Sequence, residues 1–113
     1  MTLNKYNARK TTVDGITFAS KRESEYYMIY KSMLRHKEIR SLELQPRYEI
    51  IPAFRGNDGK KERATYYTPD FRITYPDGRV CVVEVKGKAS RDYSLRRKLF
   101  KRQNPDVMFM EVR

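Results

Sequence analysis

Apolar residues recur along the chain at two spacings, and each change of spacing marks an element. Tyr26, Tyr27, Ile29, Tyr30, Met33 and Leu34 follow the helical interval. Ser20 stands at the N-cap position and Glu23 at the third helical position, a capping box, so a helix is predicted from residue 20 to about residue 37. Ahead of it, Val13-Asp14-Gly15-Ile16 reads as a short hairpin turn or edge strand. Beyond it, residues 39–54 form an extended segment feeding a strand at 48–51, and residues 55–63, with Gly56-Asn57-Asp58-Gly59, form a loop. Residues 66–75 and 80–86 read as strands, 92–103 as a second helix ended by Asn104-Pro105, and 107–112 as a last strand. The order is helix, three-strand antiparallel meander, helix, strand. That is a mixed α/β (α+β) class with a central sheet flanked by helices.

The turn Pro76-Asp77-Gly78 fixes how two of these strands meet. Proline presets φ at the first position, Asp tolerates the second and Gly supplies a left-handed third, which favours a three-residue hairpin loop. Tyr75 then faces Arg79, and Asp70 faces Glu84 with Cβ atoms about 4.5–5.5 Å apart. Lys86 falls on their side of the sheet, whereas Phe71, Ile73, Tyr75, Cys81, Val83 and Val85 fall on the other, a set suited to a core. With a two-residue loop the carboxylates would point to opposite sides. Two opposed carboxylates repel unless a proton or a cation sits between them, and a divalent cation such as magnesium suits such a pair, with water and phosphate oxygens completing its shell. The plainer reading is a pair of exposed strand charges with Lys86 as an ion-pair partner.

Composition narrows the classes. In 113 residues there are 25 Lys and Arg against 14 Asp and Glu, a net charge of +11, with one Cys and one His. An internal disulfide and a tetrahedral Cys/His zinc site are thereby excluded, Cys81 reads as a buried core thiol, and His36 as a solvated helix-end residue. No apolar run approaches the ~20 residues of a membrane span, and no secretory signal opens the chain, so an intracellular, cytoplasmic protein without a membrane partner is expected. Residues 1–12 read as a basic flexible arm and residues 13–113 as a single domain. Basic residues gather from Lys86 to Arg102, namely Lys86, Lys88, Arg91, Arg96, Arg97, Lys98, Lys101 and Arg102, against the single acid Asp92. That is the footprint of a nucleic-acid binder; a solvated basic face or an anionic lipid surface is the alternative.

Pro69-Asp70, thirteen residues, then Glu84-Val85-Lys86 resembles the signature of the PD-(D/E)xK nuclease superfamily. That resemblance implies a restriction-endonuclease-like core in which a preceding helix contributes a Glu. Glu23 and Glu25 are the candidates. At about 100° per residue, Glu23 lies within the apolar arc and Glu25 opposite it. A role for Glu23 in the capping box alone stays open. Phe18-Ala19-Ser20-Lys21-Arg22-Glu23, Leu42-Glu43-Leu44-Gln45-Pro46, Tyr67-Thr68-Pro69-Asp70-Phe71, Glu84-Val85-Lys86-Gly87 and Leu95-Arg96-Arg97-Lys98-Leu99-Phe100 together resemble a phage and prophage family of small nuclease-like proteins long catalogued as a domain of unknown function.

The resemblance implies magnesium- or manganese-dependent hydrolysis of DNA phosphodiesters. Asp70, Glu84 and the Val85 carbonyl would hold the ion, Glu23 would bind it through water or hold a second one, and Lys86 would orient the attacking water. Gln45 is a supporting candidate, with a backbone-capping role beside Pro46 as the alternative. In the second helix Arg97, Lys98, Lys101 and Arg102 share a basic face, Leu95, Leu99 and Phe100 an apolar one, and Arg96 falls within the apolar arc. Arg96 is expected either to meet a substrate phosphate or site carboxylate or to snorkel to water. Together with Lys88 and Arg91, this helix would track a DNA backbone without reading sequence. A structure-specific endonuclease on branched DNA such as Holliday junctions or flaps is expected, as a homodimer, with a phage recombination or packaging protein as a further partner. The rivals are a non-catalytic basic nucleic-acid-binding protein and a nuclease subunit active only with a partner.

Overall fold

A computed structural model describes residues 9–87 and 91–113. In chain order the elements are β1 (Thr11–Val13), β2 (Ile16–Phe18), α1 (Lys21–Arg35), β3 (Ser41–Leu44), β4 (Tyr48–Ile51), β5 (Phe54–Arg55), β6 (Lys61–Glu62), β7 (Thr65–Tyr67), β8 (Phe71–Thr74), β9 (Val80–Val85), α2 (Arg91–Gln103) and β10 (Met108–Val112). The fold is mixed α+β. Its main sheet has the order β10-β9-β8-β3, with β3, β8 and β9 antiparallel and β10 parallel to β9.

Asp14 and Gly15 both adopt positive φ, 53° and 75°, which closes β1 on β2 through a two-residue turn. Thr11 and Thr12, expected in the basic arm, are therefore strand residues, and residues 1–8 of that arm lie outside the described residues. Helix α1 starts where the cap signal puts it, with Ser20 Oγ accepting from the Glu23 N–H at 3.1 Å. It ends two residues before the expected boundary. Lys37 takes φ 61°, its N–H donates to Leu34 O at 3.1 Å, and the Glu38 N–H reaches back to Met33 O at 2.8 Å, a Schellman closure.

The meander differs from the expected one in its membership. The stretch expected as one strand at 66–75 is broken at Thr68-Pro69-Asp70, because Pro69 has no N–H for a ladder. Its first part, β7, pairs with β4, and its second, β8, pairs with β3. Gln45-Pro46 breaks the facing strand at the same level. The result is one long antiparallel ribbon with a bend across its middle, whose far end folds into the β5–β6 hairpin where only loop was expected. The third antiparallel strand of the main sheet is thus Ser41–Leu44, not Tyr48–Ile51.

The β8–β9 register follows the three-residue turn. Tyr75 N–H donates to Arg79 O at 2.8 Å, Gly78 sits at φ 94°, and Phe71 pairs with Val83 and Thr74 with Val80. Consequently Phe71, Ile73, Cys81 and Val83 are buried with Phe18, Tyr27, Tyr30 and Ile39 under α1, and Tyr75 and Val85 pack at the margin. The other face carries a second core of Ile50, Tyr67, Val82 and Phe100 beneath α2, which packs on β4 and β7.

Candidate metal centre

The bend in the ribbon decides what stands at the end of β8. Asp70 is the first residue past the break, its N–H donates to Val83 O at 3.1 Å, and Gln45 N–H donates across the break to Asp70 O at 2.9 Å. Gln45 does this in a left-handed conformation, φ 48°, a costly backbone state for a side chain of this kind. The Asp70 carboxylate turns toward β9, where Oδ2 accepts the Val85 N–H at 2.7 Å, and it is hydrogen-bonded to the Glu84 carboxyl. Glu84 Oε1 in turn accepts from the Tyr67 hydroxyl at 2.6 Å.

Glu23 approaches from the start of α1. Only 6 % of it is exposed, and it lines a cleft of about 250 Å³ together with Phe18, Leu44, Gln45 and Asp70. Its N–H donates to the Ser20 cap while its side chain lines the cleft, so the cap does not keep the carboxyl from the site. Glu25 instead pairs with Arg22 at 3.0 Å on the outer side. A second cleft of about 300 Å³ opens beside Glu84, lined by Tyr67, Thr68, Tyr93 and Arg96.

Burial raises the pKa of all three carboxyls, and repulsion from neighbouring carboxylates adds to it for Glu23 and Glu84. Burial pushes Glu23 up to about 7, with the Asp70 charge adding to it. Glu84 rises to about 8, first through burial and then through Asp70 and Glu23, against the lowering effect of the Tyr67 hydrogen bond. Asp70 is raised by burial, partly offset by the Val85 N–H. The site therefore keeps protons on its carboxyls to a higher pH than free carboxylates do, and full ionisation there is costly without a cation.

Among the described residues no three acidic, His or Cys side chains converge into a ready-made metal cage. What converges is the Asp70–Glu84 pair, with Glu23 further off. Two hard carboxylates plus a neighbouring carbonyl suit a magnesium-type ion, which keeps several waters and takes only one or two carboxylates from the protein.

The remaining candidates fall in several places. Lys86 reaches Glu111 Oε2 at 3.7 Å. Arg96 is half-buried beside the second cleft, and its Nη1 donates to the Tyr66 carbonyl at 2.6 Å, tying α2 to β7. Arg97, expected on the outer basic face, is tied to Glu111 at 2.8 Å, and Leu95, expected on the apolar face, is 57 % exposed. The helix is rolled so that Tyr93, Arg96, Leu99 and Phe100 meet the sheet. Arg91, Lys98, Lys101 and Arg102 face outward, Lys101 over the Phe109 ring at 4.6 Å; Lys88 lies outside the described residues. Sequence reasoning missed Tyr67, Tyr93 and Glu111. The signal for Glu111 was the parallel pairing of β10, which a hydrophobic pattern does not carry.

Fold and site together define an α+β domain with a half-buried carboxyl pair at a broken strand and a basic helix beside it. The chain belongs to the family described as a protein of unknown function, DUF1064, which it matches over residues 3–113. Comparison with curated proteins and with solved structures gave no match.

Proposed function

We propose that this protein is a metal-dependent DNA endonuclease with a restriction-endonuclease-like core. The observation that carries the reading is the half-buried Asp70–Glu84 pair, hydrogen-bonded to each other at a strand end with the buried Glu23 nearby. Partly desolvated carboxyls set against each other are costly to ionise, and such an arrangement is poorly explained by stability alone. Magnesium or manganese held by Asp70, Glu84 and the Val85 carbonyl would supply a Lewis acid for the scissile phosphate and an acidified water. Asp70 and Glu84 would hold it, and their orientation is set by the Val85 N–H and the Tyr67 hydroxyl. Glu23 orients water on the side of the first cleft. Lys86 stabilises the charge that develops on the phosphoryl oxygens.

Arg91, Lys98, Lys101 and Arg102 present an outward charge suited to a phosphate backbone. Such a surface reads shape in preference to sequence, which favours branched DNA such as Holliday junctions or flaps. A two-fold homodimer brings two sites to two strands, and a phage recombination or packaging context follows from the resemblance.

The deciding experiment incubates the purified protein with labelled junction, flap, nicked, duplex and single-stranded DNA in magnesium or manganese. Wild type should cut a branched substrate, and Asp70→Asn should lower the rate at least about a hundredfold while DNA binding persists. Binding without cleavage by wild type would leave a non-catalytic nucleic-acid binder. Cleavage only with an added partner would make the chain a subunit.

A further inference from the structure

Glu111 stands outside the motif that marks the site, yet it is the nearest residue to Glu84 on the neighbouring strand. Strand β10 runs parallel to β9 with Glu111 in register with Glu84, so the two carboxylates project from the same face of the sheet. Two hydrogen bonds and an ion pair hold Glu111: the Tyr93 hydroxyl and, at 2.8 Å, Arg97 Nη1 donate to it from α2, and Lys86 Nζ lies 3.7 Å away just past the end of β9. These contacts, the Tyr93 hydrogen bond foremost, keep its carboxyl below the usual range, opposite in direction to Glu84.

Lys86 thus has two acidic neighbours. Glu84 is two residues back on the same face of the same strand, and Glu111 lies across the sheet. An ammonium settled on the Asp70–Glu84 pair would neutralise the oxygens that a divalent cation needs. Lys86 lies instead with Glu111. We propose that Glu111, braced by Tyr93 and Arg97, is a positioning residue that keeps Lys86 beside the carboxylate pair and off it, so that the pair stays open to a divalent cation. This inference rests on the metal-site reading above and adds a residue to it.

The test is calorimetric titration of the full chain with Mn2+, without DNA, for wild type, Asp70→Asn, Glu111→Gln, Lys86→Met and the double variant Glu111→Gln/Lys86→Met. Glu111→Gln should weaken Mn2+ binding about tenfold, the scale on which residues outside the ligand set act. In the Lys86→Met background the same substitution should change it less than about twofold, since no ammonium remains to settle on the pair. Equal loss in both backgrounds would mean that Glu111 only supports the fold, and would overturn the proposal, as would wild-type affinity in Glu111→Gln. Glu111→Asp, which keeps the charge and shortens the reach, should give an intermediate loss that Lys86→Met again abolishes, and it serves if the Gln variant does not fold. Wild type that takes up no Mn2+ overturns the metal reading together with this one. Binding that is lost in Asp70→Asn but unchanged in Glu111→Gln overturns the role of Glu111 alone.

Discussion

A single hydroxyl illustrates how the carboxylate pair is held. The Tyr67 ring belongs to the core beneath α2, while its O–H reaches Glu84 Oε1 at 2.6 Å. That bond favours the charged form of Glu84 against the burial that raises its pKa. Hydrogen bonds to charged groups are worth roughly 1.5–3 kcal/mol when a partner is deleted. Tyr67→Phe, which keeps the packing, should therefore lower stability by about 2 kcal/mol at pH 9, where Glu84 is ionised, and by less at pH 5. Urea unfolding at the two pH values measures this; an equal loss at both would mean that the bond does not distinguish the two forms of Glu84. The same residue also shows where sequence reading stops. Strand alternation puts Tyr67 and Asp70 on defined faces only while the strand continues, and the break at Pro69 separates them.

At the scale of elements, α1 ends at a cost. Lys37 occupies the left-handed position of a Schellman closure, a place where glycine avoids the clash of a Cβ. Lys37→Gly should raise stability by about 1 kcal/mol, and Lys37→Ala should give no such gain. Thermal or urea unfolding of the two variants checks it. The helix start was legible because Ser20 and Glu23 carry a local signal, and the β8–β9 register because Pro76-Asp77-Gly78 admits one short loop. That loop led to the expectation that Asp70 faces Glu84; the ladder runs only as far as Phe71 with Val83, and at the strand break the Asp70 N–H turns to Val83 O while its carboxyl reaches Glu84. Long-range pairings were not legible in the same way. Nothing local in Ser41–Leu44 tells it apart from Tyr48–Ile51 as a partner for β8, and the bend that assigns them arises from Pro46 and Pro69 lying at one level across the ribbon. The roll of α2 was also hidden. A helical wheel places Arg97 among the outward cations, but the carboxylate that draws it inward is on β10, fourteen residues away.

A molecule of net charge +11 carries a partly buried acidic site. The outward cations of α2 and the carboxylates near Asp70 have opposite effects on a polyanion, and a bound cation would reconcile them. Stability against pH reads the acidic part directly. Glu23 rises from 4.5 to about 7 on folding and Glu84 from 4.5 to about 8, so for both the folded-state pKa lies above the unfolded value. Their contribution is then fully present below about pH 4.5, declines as each loses its proton in the folded state, and is gone above about pH 8. The urea midpoint of the metal-free protein should accordingly fall between pH 5 and pH 8, and Asp70→Asn, which removes a charge that raises both neighbours, should flatten the fall. Millimolar Mg2+ at pH 8 should restore the midpoint of wild type and leave that of Asp70→Asn unchanged, because a ligand that binds only the folded state stabilises it by mass action. A midpoint that climbs from pH 5 to pH 8, or that Mg2+ raises equally in both proteins, would show that this cluster is neither strained at neutral pH nor relieved by a cation.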